Sequence, residues 1–398
     1  MPLDAETKGP PQGGPFSSLD AAAPAVALST RLVFFMIGIG FAVWAPLVPD
    51  AKARLGLDDA ALGTLLLGLG VGSLAALPFA GPLVQSRGPR WVILGTGLAF
   101  CALMPALALA PTPWALAALL ALFGAATACV DVAMNAQAVL VEKATGRTLM
   151  SGFHGAYSLG ALVGSLAMTG LLAAGVSPVA CAALLGAACA LALAIRAGTL
   201  IPRAHDAEAP RLVLPRGRLA ALGALCFAAF LLEGTILDWS GVYLRFELGQ
   251  AASHAGLGFA ALAVAMTLGR LTGDAVVRRL GPVLVMAGGG ALAAIGFALA
   301  AAAPTLPGYP LALFLAGCGL VGLGVANMVP VLFSAAGRMP DMAPSAAIAA
   351  AATPGYAGLL AGPVAVGWIA QATTLPLAFA GLALLAAVIG LSARIVRG

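Results

Sequence analysis

Four long stretches without a charged side chain constrain the fold of this 398-residue sequence more than any other feature. Residues 91–130, 148–195, 280–337 and 342–393 contain no Asp, Glu, Lys or Arg. Each stretch is about twice the roughly 20 residues that one helix needs to cross a bilayer. Turn-forming residues interrupt each stretch near its middle, so each predicts a hairpin of two membrane-spanning helices.

Four further apolar segments are long enough for one span each, which brings the predicted total to twelve. They lie near residues 30–49, 60–85, 218–241 and 254–277. The sequence therefore predicts an all-α membrane protein with twelve transmembrane helices.

The composition excludes several classes of protein. Hydrophobic residues make up 61% of the chain and charged residues only 9%, whereas soluble proteins carry about 25% charged residues. A soluble enzyme, a nucleic-acid-binding protein and a disordered scaffold are therefore not expected. The six cysteines lie in apolar runs without metal-binding spacing, and no P-loop, H-E-x-x-H or G-x-S-x-G motif occurs. We expect no enzymatic activity, no cofactor and no metal site.

The basic residues predict the orientation. If both termini are cytoplasmic, sixteen of the twenty Lys and Arg residues fall on cytoplasmic segments. Lys52, Arg54 and Arg245 fall outside, and Arg270 lies within a span. This asymmetry follows the positive-inside rule and predicts a multi-pass membrane protein with both termini in the cytoplasm. The three lysines against seventeen arginines in an alanine-rich chain suggest a bacterial genome, so the expected location is a bacterial inner membrane. The asymmetry also explains the net charge of +5 without a nucleic-acid partner.

The chain divides into two halves. Residues 1–27 predict a disordered cytoplasmic tail without the pattern of a secretory signal, and residues 201–217 predict a charged, proline-containing cytoplasmic linker. Between and after them, residues 28–200 and 218–398 predict two six-helix bundles.

An internal repeat relates the two halves at an offset of 193 residues. The matched positions are Leu55 and Leu248, Gly56 and Gly249, Gly63 and Gly256, Gly88 and Gly281, and Pro89 and Pro282. The only two asparagines, Asn135 and Asn327, are expected at near-equivalent places in the fourth and tenth spans. Two pseudo-symmetric bundles related by an axis along the membrane normal would enclose a binding site at their interface.

Residues 81–90, which end in Arg87, Gly88, Pro89 and Arg90, resemble the loop between helices 2 and 3 of the major facilitator superfamily. Gln85 stands where that superfamily usually has Asp. The corresponding region of the second half, with Arg270 and Asp274, keeps an acid and basic neighbours. The resemblance implies the superfamily's fold and a cytoplasmic gate formed by Arg270, Asp274, Arg87 and Arg90.

Within the superfamily, residues 131–135 followed by 154–161 are similar to the fucose-permease group, and most similar to the YbjJ-type inner-membrane permeases. Residues 233–234, 238–239 and 354–356 fit the same subgroup. In its sugar–proton symporters, an acid at the position of Asp131 takes part in proton coupling and substrate binding. Those proteins also carry an acid within helix 1, where the nearest candidate here is Asp50, at the outer end of the helix.

Asp131 is the main candidate for a proton carrier. A charged carboxylate at the bilayer centre costs at least about 2.5–3.5 kcal/mol unless it faces water or a partner. Asn135 and Glu142 share its helix face, which we expect to line the cavity between the halves. The alternative is an acid held structurally by Asn135 or by an arginine.

Glu233 is the second candidate, because it lies deep in the seventh span. Asp238 lies nearer the outer end, where it is expected to pair with Arg245 or to cap a helix, although a functional role stays open. Arg270 and Asp274 are four residues apart and form either a gating pair or a local pair of small energetic value.

Histidine and aromatic residues complete the candidate site. His154 begins the fifth span beside Tyr157 and is either a proton relay or a packing residue. Trp44, Trp239 and Tyr356 could stack on a sugar or a flat organic molecule, and interfacial anchoring explains them equally well.

Together these features predict a secondary transporter that works by alternating access, with protons as the coupling ion. The expected substrate is sugar-like or another small organic molecule, and the expected assembly is a monomer in the lipid bilayer. The alternative is a proton-coupled exporter of drugs or metabolites on the same fold.

Overall fold

The computed structural model describes residues 23–145, 149–202, 216–306, 308–339 and 344–397. These residues form an all-helical protein without strands, which confirms the predicted fold class of twelve helices in two six-helix bundles. Within the described ranges, ten helical segments are long and apolar enough to cross a membrane, and Leu375–Leu391 is a shorter apolar helix. Residues 1–22 of the predicted tail and 203–215 of the predicted linker lie outside the described residues.

Six helices form the first half. They are α1 (Ala23–Leu55), α2 (Asp59–Arg87), α3 (Pro89–Leu109), α4 (Pro113–Thr145), α5 (Met150–Ala173) and α6 (Pro178–Arg196). A polar side chain caps the start of α2, where Asp58 accepts a hydrogen bond from the amide of Ala61 at 2.7 Å. The turns before α4 and α6 lie where the prolines of the apolar stretches predicted them.

Six more helices form the second half. They are α7 (Gly217–Val242), α8 (Leu257–Ala302), α9 (Pro310–Val325), α10 (Met328–Gly337), α11 (Pro344–Ala372) and α12 (Leu375–Leu391). A π-helical turn, Tyr243–Glu247, follows α7. The eighth and ninth predicted spans are one bent helix, α8. The tenth span is divided into α9 and α10 at Ala326 and Asn327.

The repeat is visible in the backbone. Gly56 and Gly249 both have a positive φ, of 63° and 61°. Gly88 between α2 and α3 has φ 82° and ψ 156°, and Gly281 within α8 has φ 79° and ψ 159°. A proline follows each of the latter two. Only glycine adopts these conformations without strain, so the matched glycines fix matched bends in the two halves.

Close glycine contacts between helices also repeat. A Cβ atom at Gly160 of α5 would collide with the carbonyl oxygen of Phe35 of α1. In the second half, a Cβ atom at Gly358 of α11 would collide with the carbonyl oxygen of Phe227 of α7. Because small residues let helix backbones approach closely, these glycines determine how the helices of each half pack.

A second pair of contacts corrects the expected equivalence of the asparagines. Gly124 of α4 packs on the backbone of Leu69, and Gly322 of α9 packs on the backbone of Leu262 in the same way. Asn135 follows the first glycine by eleven residues, but Asn327 follows the second by only five. At 1.5 Å per residue, the two asparagines differ in height by about 9 Å, so the prediction was wrong. The second half has a longer turn before α9, which shifts the sequence offset.

One end of the bundle carries the ends of both halves. Arg196 at the end of α6 donates to Ser29 Oγ near the start of α1 at 3.0 Å. Arg218 at the start of α7 donates to the carbonyl oxygen of Ile395 after α12 at 3.0 Å. We call this the terminal end, and the opposite end the distal end.

The two halves pack tightly toward the distal end. A Cβ atom at Gly63 of α2 would lie 2.6 Å from the carbonyl oxygen of Pro363 of α11, and one at Gly241 of α7 would lie 3.2 Å from that of Ala45 of α1. Ser165 Oγ of α5 donates to the carbonyl oxygen of Gly256 before α8 at 2.8 Å. We call the contact region of these residues, together with Gly367, the distal seal.

Polar contacts surround the distal seal. Lys52 of α1 forms an ion pair with Asp59 of α2 and lies over the ring of Phe246 of the other half, 4.7 Å from its centroid. The amide of Asp59 donates to Gln371 Oε1 of α11 at 3.2 Å. The halves are therefore closed against each other at the distal end.

Toward the terminal end the facing surfaces separate. His154 of α5 and Arg270 of α8 belong to opposite halves, and both are solvent-exposed although they lie within electrostatic range of each other. Gly155 of α5 has open space beside it. A central cavity thus lies between the halves and opens toward the terminal end.

Candidate functional site

Asp131 of α4 lies in the middle of the chain's fourth helix and is partly buried. Asn135, one turn later, donates through Nδ2 to the carbonyl oxygen of Asp131 at 2.9 Å and to its Oδ1 at 3.2 Å. Among the described residues, no cationic nitrogen lies within 4.0 Å of this carboxylate. Asn135 therefore orients the acid without neutralising its charge, and an arginine does not hold it.

Tyr157 of α5 connects the charged groups of the two halves. Its hydroxyl group lies within electrostatic range of Asp131, Glu233 and Arg270. The hydroxyl group of Tyr356 of α11 lies within range of Asp131 as well. The structure thus brings together, around one cavity, five residues that the sequence singled out from five different helices.

Glu233 of α7 and Arg270 of α8 form the ion pair of this cavity. Their closest nitrogen and oxygen atoms are 4.0 Å apart, and the side chains are 29% and 39% exposed. Such a long and exposed pair is weak and leaves both groups available to a solute. The gating interpretation expected Arg270 to act between the halves or with Asp274. Arg270 instead pairs within its own half, and the side chain of Asp274 lies outside the described residues.

Asn327 holds the backbone next to Arg270. Its Nδ2 donates to the carbonyl oxygen of Gly269 at 3.0 Å. A Cβ atom at Gly273, one turn further along α8, would collide with Oδ1 of the same amide. The amide of Asn327 thus binds the backbone of α8, whereas the sequence suggested that Asn327 lies in the substrate or proton pathway. The small residues four apart in α8 are the signal that could have predicted this close approach.

The aromatic residues divide into two groups. Tyr356 is 48% exposed and stacks on Phe230 of α7, with ring centroids 5.7 Å apart. Phe230, three residues before Glu233, is a cavity residue that the sequence reasoning missed. Trp44 and Trp239 are fully buried near the distal seal. In this conformation they neither face the cavity nor anchor at an interface, which corrects both expectations.

Asp238 also differs from its prediction. It is only 8% exposed and lies beside the indole group of Trp44 of α1. The expected pair with Arg245 does not form, since Arg245 contacts the ring of Phe246 instead. The side chain of Asp238 is directed from α7 toward the other half, so α1 and not the following turn supplies its neighbour.

The two predicted gating arginines of the first half lie outside the cavity. Arg90 donates through Nε to the carbonyl oxygen of Leu200 at 2.7 Å and through a terminal nitrogen to that of Gly198 at 2.8 Å. These bonds tie the start of α3 to the segment after α6 within one half. Arg87 at the end of α2 is exposed. In this conformation, neither arginine closes a gate between the halves.

The remaining chemistry is that of polar binding. In the ranges that the structure describes, no three His, Cys, Asp or Glu residues come together to hold a metal ion. The cavity instead offers two carboxylates, one guanidinium, one imidazole and two phenols. His154 packs edge-on against Phe34, with ring centroids 5.2 Å apart. These groups can bind a polar solute and exchange protons with water.

Comparison with known proteins places the chain in a family. The family model of the Major Facilitator Superfamily matches residues 31–338. An uncharacterized MFS-type transporter of Yersinia pestis is 46% identical over 370 residues, covering 93% of this chain and 95% of the relative. The membrane protein MosC of Rhizobium meliloti is 32% identical over 349 residues, which cover 86% of this chain and 83% of MosC.

Solved structures support the fold. The nucleoside transporter NupG superposes with a TM-score of 0.73 at 15% identity, covering 93% of this chain and 98% of NupG. A bacterial homologue of the human lysosomal transporter Spinster superposes with a TM-score of 0.72 at 15% identity, covering 96% of this chain and 98% of the homologue. Together with the twelve helices in two repeated bundles, these matches show that this chain is a multi-pass membrane protein of the major facilitator superfamily of transporters.

Proposed function

We propose that the chain is a proton-coupled secondary transporter that moves a small polar, sugar-like or other organic solute by alternating access. The observation that carries the proposal is the group of ionisable side chains from both halves around one cavity. Asp131, His154 and Tyr157 come from the first half, and Glu233 and Arg270 from the second. A solute that contacts both sets links its own binding to the relative position of the halves.

Asp131 is the proposed proton carrier. Among the described residues, its carboxylate has an amide partner and two phenols nearby but no cation within 4.0 Å. Loading a proton removes an uncompensated charge, so loaded and unloaded states differ in the cost of enclosing this group away from water. That difference is what couples a proton gradient to a conformational change.

Glu233 and Arg270 are the proposed solute-binding pair. The pair is long and exposed, so a solute with hydroxyl or carboxylate groups can insert between the two side chains. Tyr356 stacked on Phe230 supplies a flat apolar surface at the same cavity. Two polar anchors and one ring surface suit a small solute with a polar edge and an apolar face.

The proposed orientation has the terminal end in the cytoplasm of a bacterium, with the protein in the inner membrane as a monomer. Described basic residues concentrate at the terminal end, namely Arg87, Arg90, Arg196, Arg216, Arg218, Arg278, Arg279, Arg338, Arg394 and Arg397. Lys52, Arg54 and Arg245 are at the distal end. With this orientation the present conformation is open to the cytoplasm.

The test uses the full-length protein in proteoliposomes. A thermal-shift screen with sugars, organic acids and cationic drugs at two pH values first identifies a solute that binds the wild type. We expect an imposed pH gradient to drive accumulation of that solute. Asp131→Asn should abolish this accumulation and leave counterflow exchange, because exchange needs solute binding but no net proton movement.

Asp50→Asn is the matched control. Asp50 is a helical carboxylate near the distal end that pairs with Arg54 at 3.6 Å, outside the cavity. Its substitution should leave accumulation unchanged. Undiminished gradient-driven accumulation by Asp131→Asn would refute the assignment of Asp131. The same assay with the gradient reversed reports whether net movement is uptake or export.

A further inference from the structure

We propose that Asp238 is a second proton-binding site, which must be protonated for the distal seal to close. The proposal deepens the proposed function by adding a place where protons control the conformation. It rests on that function only for the link to transport, since proton control of the seal itself can be measured without a solute.

Asp238 lies on the interface between the halves. It is 8% exposed and precedes Gly241 by three residues, which places both on nearly one face of α7. A Cβ atom at Gly241 would lie 3.2 Å from the carbonyl oxygen of Ala45 and 3.3 Å from Cδ of Pro49, both in α1. Trp44, beside Asp238, directly precedes Ala45. Separation of α1 from α7 would therefore expose Asp238 to water.

No positive charge compensates Asp238 in the closed seal. Among the described residues, no Lys, Arg or His nitrogen lies within 4.0 Å of it. The ionisable side chains on the elements around this part of α7 are Asp50, Lys52 and Arg54 of α1, His154 and Tyr157 of α5, Tyr243, Arg245 and Glu247 of the π-helical turn, His254 before α8, Arg270 of α8 and Tyr356 of α11. The cations of α1 are committed elsewhere, since Lys52 pairs with Asp59 and Arg54 with Asp50.

Hydrogen bonding offers an ionised Asp238 carboxylate one weak donor among the described residues. The indole N–H of Trp44 approaches Asp238 but does not reach hydrogen-bond geometry. An ionised carboxylate enclosed without a cation or a set of donors is strongly disfavoured, whereas a neutral carboxyl group is tolerated. The closed seal therefore selects the protonated form of Asp238.

Other polar groups at the seal are also buried without a hydrogen-bond partner. Four buried polar side-chain atoms in the described residues have no hydrogen-bond partner: Trp44 Nε1, Thr169 Oγ1, Trp239 Nε1 and Ser240 Oγ. All four belong to α1, α5 or α7, which are three of the helices that form the seal. Water would satisfy these atoms in an opened seal, so their burial opposes the glycine packing and the few polar contacts, such as that of Ser165 with Gly256, that hold the closed form. A single charge on Asp238 then suffices to shift the equilibrium.

Protonation of Asp238 thus follows the opening and closing of the seal. When the seal is open, the Asp238 carboxylate takes a proton from water at the distal side and becomes a neutral carboxyl group. The neutral group is enclosed as α1 and α7 close, and the cavity opens toward the terminal end. Reopening returns Asp238 to water, where it releases the proton. A low pH at the distal side therefore favours the closed seal.

A buried cysteine reports the state of the seal. Ser165 is fully buried and bridges the halves, so Ser165→Cys should react with a water-soluble maleimide only when the seal is open. The full-length variant is placed in nanodiscs, which expose both faces. Labelling rates between pH 6 and pH 9 are divided by the rate of the same denatured protein at each pH, because thiol ionisation changes reactivity. The parent protein with its native cysteines gives the background.

We expect the normalised labelling rate to rise with pH, by up to about tenfold per pH unit for one linked proton. Ser165→Cys with Asp238→Asn should label slowly at every pH, because the neutral amide mimics the protonated acid. Asp238→Glu should keep a pH dependence, which shows that loss in the Asn variant is not misfolding. An unchanged pH dependence in the Asn variant would overturn the proposal.

One further variant, with two substitutions, separates this proposal from the proposed function. Asp131→Asn with Glu233→Gln, in the reporter background, should keep the part of the pH-dependent labelling that Asp238 controls, because both acids lie in the cavity outside the seal. If that double variant loses the pH dependence and Asp238→Asn retains it, the cavity acids control the seal and Asp238 does not. Failure of gradient-driven transport with intact pH-dependent labelling would overturn the proposed function alone.

Discussion

At the scale of single residues, the two asparagines have different tasks that the sequence does not distinguish. Asn135 contacts Asp131 directly in its own helix, whereas Asn327 contacts the backbone of α8 beside Arg270. The first orients a carboxylate one turn away. The second sets the height and rotation of a neighbouring helix, and through it the position of a guanidinium group.

A substitution next to Asn327 should weaken solute binding without unfolding the protein. Gly273→Ala would place a methyl group against Oδ1 of Asn327 and displace α8 at Arg270. We expect a severalfold increase in the KM of transport with a smaller change in kcat, because the solute contact is shifted and the proton carrier is untouched. Gly288→Ala, on the same helix with open space beside it, should leave both constants unchanged. An equal effect of the two alanines would contradict the positioning role.

Loss of the charge on Glu233 should affect solute binding at Arg270 more than proton binding at Asp131. Glu233→Gln removes the only described anion within 4.0 Å of Arg270 and leaves the guanidinium group without its ion pair. If the solute is anionic, we expect the thermal shift that it produces to grow in this variant. If it is neutral, the shift should fall, because a hydrogen-bond acceptor of full charge is lost. An unchanged shift would show that the pair does not contact the solute.

At the scale of helices, glycine contacts determine the packing within each half. Gly160 and Gly164 of α5 approach α1, and Gly358 and Gly362 of α11 approach α7. The contacts fall at corresponding places of the repeat, so the same helix pair forms the same tight unit twice. The distal seal uses further glycines, Gly63 and Gly367, between halves.

Alanine at these positions should destabilise the helix pair. Gly160→Ala inserts a methyl group against the carbonyl oxygen of Phe35, where the backbone cannot yield without moving α5. Overpacking of this kind costs about 1–3 kcal/mol. We expect a lower melting temperature in detergent, measured by tryptophan fluorescence. Gly170→Ala, on the same helix with open space beside it, is the control and should not lower it.

At the scale of the whole molecule, the closed distal end and the open terminal end correspond to one of the two conformations of the proposed alternating-access cycle. Opening the distal end must break the cation–π contact between Lys52 and Phe246 and the bond between Trp368 Nε1 and Thr64 Oγ1, which are 3.2 Å apart. A proton that crosses 100 mV supplies about 2.3 kcal/mol. Since every 1.4 kcal/mol is a factor of ten, one proton sustains a solute gradient of about fiftyfold.

A covalent link across the distal end should stop transport. Thr64→Cys with Trp368→Cys, joined by a short bifunctional thiosulfonate reagent, would hold α2 against α11. We expect both accumulation and counterflow to fall to background, because each requires the distal end to open. Cleavage of the link by a reducing agent should restore them. Trp368→Cys alone, treated with the same reagent, is the control, and persistent counterflow in the linked protein would exclude this opening.

Several features of the fold were predictable because their causes are local in the sequence. The uncharged stretches and the prolines within them predicted the helices and their turns, and the repeated glycines at an offset of 193 predicted two related halves. Asp131, Asn135, Glu233 and Arg270 were identified because polar groups in apolar helices are costly, Tyr157 because it adjoins His154, and Tyr356 because it could stack on a solute. The subgroup resemblance and the individual roles of these residues stay predictions.

Other features depend on contacts between distant segments. The local sequence does not distinguish Trp44 and Trp239 from exposed aromatic residues. Only the packing of α1 against α7 buries them. Arg270 could pair with either half, and the distance between α7 and α8 selects Glu233. The length of the turn before α9 changes the register of the repeat, which separates the two asparagines.

By itself, the sequence determined that this chain crosses the membrane many times in two related halves, because the cost of placing charge and unpaired backbone in lipid acts on every segment separately. The tertiary structure alone decided which polar groups meet, which end is closed and which acid is enclosed without a cation. These outcomes depend on distances between helices that are far apart in the chain, and no local preference fixes such distances.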